Sequence, residues 1–319
     1  MQNLMDHLGR KIDYLRISIT DRCNLRCRYC MPADGVETKG HQDILSYEDI
    51  IKIVKTGIEL GIRKVRITGG EPLVRLGVED LISSLSRLEL KDISMTSNAV
   101  LLSKKAEKLK AAGLDRINIS LDTLEPVKFK EITRRDNLQQ VLSGIRAALE
   151  AELNPVKLNV VVMKGINDDE LFDFVELSRS EKLSIRFIEY MPLGGEAEAG
   201  KFISSSDIKN LISKKYKLQP ADSKGNGPAN YYKIEGAAGT IGFISAVSEH
   251  FCSSCNRLRL TADGRFKPCL AGNQEVKITG MTKKEIKAAY KKALAVKPAC
   301  HDLNFEKQDY SRNMSQIGG

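Results

Sequence analysis

Cys23, Cys27 and Cys30 stand in a C-x3-C-x2-C spacing within the stretch Asp-Arg-Cys-Asn-Leu-Arg-Cys-Arg-Tyr-Cys, residues 21–30. Three thiolates that close together can hold a metal centre. An iron–sulfur cube normally takes four cysteines, so three leave one iron free to bind a reactant, which predicts a catalytic cluster rather than an electron wire. A second triad, Cys252, Cys255 and Cys269, is spaced C-x2-C-x13-C and again has no obvious fourth ligand. Structural zinc closes with four ligands; His250, Cys300 or His301 could supply the fourth, so zinc stands as the alternative to a second open cluster facing a substrate. Cys300 has no assigned role, and His7, His41 and His250 show no partner spacing.

The elements that must position these residues follow from periodicity. From residue 14 to about 192, short apolar strands alternate with amphipathic helices, the order of βα units on a parallel sheet. Strands are predicted over 15–20, 64–68, 92–96, 116–121, 157–163 and 184–190, and helices near 47–60, 78–88, 104–112, 138–151, 169–179 and 206–216. Ser46 ahead of Asp49 reads as a helix cap, and Gly61 and Gly113 as left-handed helix ends. A Gly/Pro/Asn-rich junction near 220–230 leads to a different domain with strands over 231–234, 240–244 and 257–260, a basic helix near 282–293 and a polar tail. The expected domains are 1–219 and 220–319.

In a parallel βα array the ligand site gathers where the strands end. The cysteine loop follows the first strand, Thr68-Gly-Gly-Glu-Pro72 ends the second, Thr96-Ser-Asn98 the third, Ser120-Leu-Asp122 the fourth and Glu189-Tyr-Met-Pro192 the sixth. Arg16 and Arg66 sit inside otherwise apolar strands, where an unpaired charge is costly.

Composition bounds the rest. The 319 residues are 42% hydrophobic and 29% charged, with no apolar run near the length of a membrane span and no basic-then-apolar leader at the N-terminus. A reducing cytoplasm is expected, where seven cysteines favour metal or catalysis over disulfides. A net charge of +9 admits nucleic acid or a small polyanion, but the basic residues are dispersed and aromatics are only 6% with no Trp, which argues against nucleic acid.

Cys23-x3-Cys27-x-Tyr29-Cys30 after a first strand, with Gly69-Gly70-Glu71-Pro72 ending the second, resembles a radical S-adenosylmethionine (SAM) enzyme. With the second triad, the Cys255-Asn-Arg257-Leu258-Arg259 continuation and the terminal Gly318-Gly319, the chain resembles the GTP 3′,8-cyclase family over nearly its full length. The resemblance implies an α/β protein, an incomplete (βα)6 TIM-like barrel whose open side is covered by a C-terminal α+β auxiliary-cluster domain. It implies two 4Fe–4S clusters, SAM as cofactor, GTP as substrate and an unidentified electron donor. The implied reaction is cyclisation of GTP to (8S)-3′,8-cyclo-7,8-dihydroguanosine 5′-triphosphate, the first step of molybdenum cofactor biosynthesis. A 5′-deoxyadenosyl radical takes the ribose 3′ hydrogen, and the carbon radical attacks C8 of guanine. The product would pass to a cyclic pyranopterin monophosphate synthase, and a homodimer or monomer is expected.

Carried over residue by residue, the resemblance assigns Cys23, Cys27 and Cys30 to the first cluster and Cys252, Cys255 and Cys269 to the second. Tyr29, Gly70, Ser120 and Met191 match SAM contacts, and Arg16, Arg66, Thr96, Lys157, Arg257, Leu258 and Arg259 match GTP contacts. Gly318 and Gly319 match a tail that supports radical formation in the active site. One departure is Ala99, where the family commonly has glycine after Thr-Thr-Asn; alanine takes positive φ less cheaply, which predicts a differently shaped loop. Two alternatives are a peptide-modifying radical SAM enzyme with an auxiliary cluster and a non-catalytic metal-binding or electron-transfer protein. The latter would need neither Gly-Gly-Glu-Pro nor the arginines.

Overall fold

The computed structural model describes residues 4–193, 198–222, 227–306 and 310–318. Six strands pair in parallel in chain order: β1 (Tyr14–Ser18), β2 (Lys64–Thr68), β3 (Asp92–Ser97), β4 (Arg116–Ser120), β5 (Val156–Val162) and β6 (Leu183–Glu189). Their faces are buried by helices, so the strands are near-continuous apolar runs with polar interruptions. The covering helices are α1 (Tyr47–Leu60), α2 (Val78–Ser86), α3 (Ala106–Ala111), α4 (Pro126–Thr133), α5 (Leu138–Glu150), α6 (Leu171–Ser180) and α7 (Ser205–Ser213). Ser46 Oγ accepts from Asp49 N at 3.1 Å and Gly61 closes α1 at φ 113°, as the sequence predicts. The sequence gives no sign of α4, a short helix with a weak apolar stripe and Pro126 in its first turn.

The remaining strands continue the same sheet from both of its edges. On one side β10 (Arg257–Leu260) adds in parallel to β1 and is followed by antiparallel β11 (Arg265–Lys267) and β12 (Val276–Lys277). On the other, β9 (Thr240–Ile244) adds in parallel to β6 and carries antiparallel β8 (Asn230–Lys233) and β7 (Gln219–Pro220). These additions cover edges that would otherwise expose unpaired backbone groups. Beyond β12, helix α8 (Lys283–Ala295) begins with a Thr282–Glu285 capping box and packs on α1. Tyr290 of α8 lies on Phe266 with ring centroids 4.3 Å apart, and its hydroxyl donates to Ile53 O at 3.2 Å. The tail ends in a single turn, α9 (Met314–Ile317). No described helix is long and apolar enough to cross a membrane.

Candidate active site

The loop after β1 carries Cys23, Cys27 and Cys30, all half-buried. It docks on the end of α4, with Arg26 N donating to Thr133 O at 2.9 Å and Arg28 N to Ile132 O at 3.0 Å. Next to it, Gly70 N donates to Thr20 O and Glu71 N to Arg22 O, each at 2.8 Å. A Cβ on Gly70 would overlap the Arg22 carbonyl, so two adjacent glycines are what let the loops touch. The Glu71 carboxylate is buried and accepts from Leu73 N at 3.0 Å, Ser97 Oγ at 2.8 Å and Asn98 N at 2.6 Å. It ties the ends of β2 and β3 together, and burial pushes its pKa up to about 7. Asn98 passes the order on, its Nδ2 donating to Asn24 Oδ1 at 2.7 Å and reaching Cys23 Sγ at 3.8 Å.

Tyr29 hydroxyl donates to Asp122 Oδ2 at 2.6 Å, and Asp122 Oδ1 accepts from Val161 N at 2.9 Å. The cysteine loop is thereby hooked to the ends of β4 and β5. Burial pushes Cys23 up to about 11 and raises Cys27 and Cys30 too, with repulsion between Cys27, Cys30 and Cys23 adding to it. Thiolates in this loop require a cationic centre.

Two cavities occupy the strand ends. The first, of about 160 Å³, is lined by Cys23, Cys27, Tyr29, Cys30, Gly70, Thr96, Ser120 and Met191, together with Glu71, Asn98 and Asp122. The second, of about 180 Å³, is lined by Arg16, Arg66, Cys252, Cys255, Arg257, Arg259, Cys269 and Met191, with Tyr14, Arg186 and Phe251. Asn159, Ile188, Met191 and Met314 line both, so the two chambers are neighbours. Thr96 Oγ1 and Asn159 Oδ1 are buried there without a hydrogen-bond partner among the described residues. Such atoms normally have one, which suits a polar ligand.

The second chamber is strongly cationic, and no Asp or Glu is among the described residues that line it. Burial holds Arg66 and Arg259 down to about 10 and lowers Arg16 well below its ordinary value, with the neighbouring guanidiniums of Arg259, Arg66 and Arg257 adding to the effect on Arg16. Arg66 Nε donates to Ser94 Oγ at 3.2 Å, Arg186 Nη2 to Asn118 Oδ1 at 2.7 Å, and Arg257 lies 5.0 Å from the Phe251 ring centroid. Burial works to raise the Cys255 thiol, but Arg257 and Lys297 outweigh it and hold it at about 7.

Two predicted contacts lie apart from both chambers. Lys157 is buried on β5, its Nζ donating to Tyr231 Oη at 2.9 Å. Leu258 alternates with Arg257 and Arg259 on β10, and its side chain packs in the hydrophobic core. Gly318 is buried at φ 79°, and its carbonyl accepts from Arg259 Nη1 at 2.6 Å. A Cβ on it would come within 2.5 Å of Thr68 Cγ2, so the tail ends against the mouth of β2. Gly319 lies outside the described residues. Missed by sequence reasoning were Asn159, Tyr14, Phe251 and Arg186; an arginine in the apolar run Leu-Ser-Ile-Arg-Phe gives the same signal as Arg16 and Arg66.

Residues 17–178 match the Radical SAM superfamily, and residues 183–303 match Molybdenum Cofactor Synthesis C. A Petrotoga mobilis protein named GTP 3′,8-cyclase is 54% identical over 325 residues, spanning 99% of this chain and 100% of that one. A protein of the same name from Moorella thermoacetica is 50% identical with the same coverage. The chain belongs to the GTP 3′,8-cyclase family of radical SAM proteins. Membership brings a 4Fe–4S cluster and SAM as cofactors, which fits three half-buried cysteines beside a chamber that holds Thr96 Oγ1 and Asn159 Oδ1, unpartnered among the described residues. The solved structure of Streptococcus suis SuiB bound to S-adenosylmethionine shares the fold, with a TM-score of 0.60 and 16% identity; the match covers 82% of this chain and 60% of that chain.

Proposed function

We propose that this chain converts GTP to 3′,8-cyclo-7,8-dihydro-GTP, the first step of molybdenum cofactor biosynthesis, using SAM. One observation carries the reading: a chamber lined by arginines and free of described carboxylates shares Asn159, Ile188, Met191 and Met314 with the chamber lined by the first cysteine triad. A triphosphate offers negative charge that suits those guanidiniums, and arginine forks suit phosphate oxygens. When bound at Cys23, Cys27 and Cys30, the cluster with SAM supplies the radical. Tyr29, braced by Asp122, and Gly70 frame the SAM chamber, with Ser120 and Met191 as further contacts. Arg16, Arg66, Thr96, Arg257 and Arg259 hold and orient GTP, so that the ribose lies toward Met191 and the first chamber, while Lys157 and Leu258, apart from the chambers, act only through the strands that carry them. Cys252, Cys255 and Cys269 carry a second 4Fe–4S cluster that receives guanine, favoured by the low pKa of Cys255. Gly318 and Gly319 complete the site.

Residues 1–219 then form the radical-generating part and 220–319 the part that carries the second cluster and covers the substrate. The enzyme works in the cytoplasm as a monomer or homodimer with an unidentified reductant, and delivers its product to a cyclic pyranopterin monophosphate synthase. The test is anaerobic reconstitution with iron and sulfide, then dithionite, SAM and GTP, assaying 5′-deoxyadenosine and cyclised GTP. Both products are expected. Cleavage of SAM only when a peptide replaces GTP would overturn the proposal.

A further inference from the structure

Cys300 is the cysteine that neither cluster uses. In the fold it returns to the second triad: its Sγ, the Sγ of Cys252 and an imidazole nitrogen of His250 all lie within 4.8 Å of one another. No other His, Cys, Asp or Glu group among the described residues closes so tightly. The spacing suits ligands of one ion, since a four-iron cube holds its thiolates farther apart. His301 stands beside the group rather than in it: its Nε2 is 3.3 Å from His250 Nδ1, with the two rings inclined at 77°.

Buried contacts impose this proximity. Arg10, held by Asp6 at 2.6 Å, donates through Nη1 to Cys252 O at 2.8 Å and Ala299 O at 3.0 Å, and through Nη2 to Pro298 O at 2.7 Å. Lys297 Nζ donates to Arg257 O at 2.9 Å and Pro268 O at 2.7 Å. One guanidinium thus staples the Cys252 loop to the residues before Cys300. Such charge-assisted bonds are the strong ones.

We propose that His250, Cys252 and Cys300 form a three-ligand mononuclear site for a zinc-class ion, its fourth position open to solvent, which shares Cys252 with the second triad and so competes with cluster assembly there. Two cysteines and one histidine with an open fourth position are a known zinc donor set, and both thiol protons leave to solvent on binding. The site goes beyond the proposed reaction and stands or falls separately from it. An ion held there occupies Cys252 and blocks the second cluster without touching Cys23, Cys27 or Cys30.

The full chain, reduced and metal-free under anaerobic conditions, is titrated with Co2+ as a spectroscopic stand-in and back-titrated with Zn2+. One equivalent should give tetrahedral cobalt–thiolate bands that zinc removes. Cys300→Ala should weaken binding at least roughly tenfold, the scale on which even supporting groups of a metal site act, whereas Cys269→Ala should leave it unchanged. Equal affinity in Cys300→Ala, or loss of binding in Cys269→Ala, would put the ion in the triad and overturn the proposal. Cys300 is exposed, and far-UV circular dichroism checks that its variant folds. Reconstitution gives a second readout: zinc-loaded protein should take up about half the iron of the metal-free chain, as expected if one of two cubes assembles, and Cys300→Ala should restore the remainder. Full iron uptake by the zinc-loaded protein would disprove the competition.

Discussion

Lys157 shows what burying a single charge does to the stability of the fold. Burial, which outweighs its bond to Tyr231, holds the amine down to about 8 from an ordinary value of 10.5. Below pH 8 the folded protein carries the full cost of the buried ammonium, and that cost fades as pH rises from 8 toward 10.5. At roughly 1.4 kcal/mol per unit the cost is about 3 kcal/mol. Lys157→Met should therefore gain up to about 3 kcal/mol at pH 7, with a margin that shrinks toward pH 10 in urea unfolding; a margin independent of pH would refute the assignment. Gly70 makes the opposite case, where space alone decides. Gly70→Ala drives a methyl into the Arg22 carbonyl, and a shift of this kind near the chemistry costs on the order of a hundredfold. SAM cleavage should fall by about that factor while far-UV circular dichroism stays unchanged.

At the scale of elements, short pieces position the site. Helix α4 gives the cysteine loop a surface to hydrogen-bond to, and α9 delivers Gly318 to Arg259. Gly318→Ala combines a strained φ with a clash at Thr68, so α9 should detach. Iron content should hold, and cyclised product should fall by roughly a hundredfold or more; a variant with full turnover would show that the tail is dispensable. The turn after β3 corrects one expectation. Ala99 is not accommodated by a remodelled loop: it takes φ 62° itself, fully buried, against Gly144 of α5. Left-handed alanine costs about 1–2 kcal/mol, and a buried methyl returns about 0.8 kcal/mol.

At the scale of the whole molecule, the sheet is continuous through β9–β6 on one side and β10–β1 on the other. The C-terminal hundred residues thus close both edges of the six-stranded array, and α8 buries α1. Unfolding should be a single cooperative transition, with far-UV circular dichroism and tyrosine fluorescence superimposing against urea. Two separated transitions would mean that the parts fold independently. A chain stopped at residue 219 leaves β1 and β6 as bare edges and should aggregate.

The sequence by itself determined the six parallel strands, the helix caps at Ser46 and Gly61, the two cysteine triads and the charge of the second chamber. Each of these is local: periodicity, a cap residue, or close spacing along the chain. Tertiary structure alone decided what depends on distant segments meeting. It joined the strands beyond 220 to both edges of the first sheet, where the sequence pointed to a different domain with strands of its own. It turned Leu258 into the core and Lys157 toward Tyr231, because strand alternation and sheet pairing fix which face a side chain takes. It also brought Cys300 and His301 back to Cys252 through Arg10, a contact between residues 242 apart in the chain. The cysteine types named the chemistry, and the closure of the sheet selected which of them share one site.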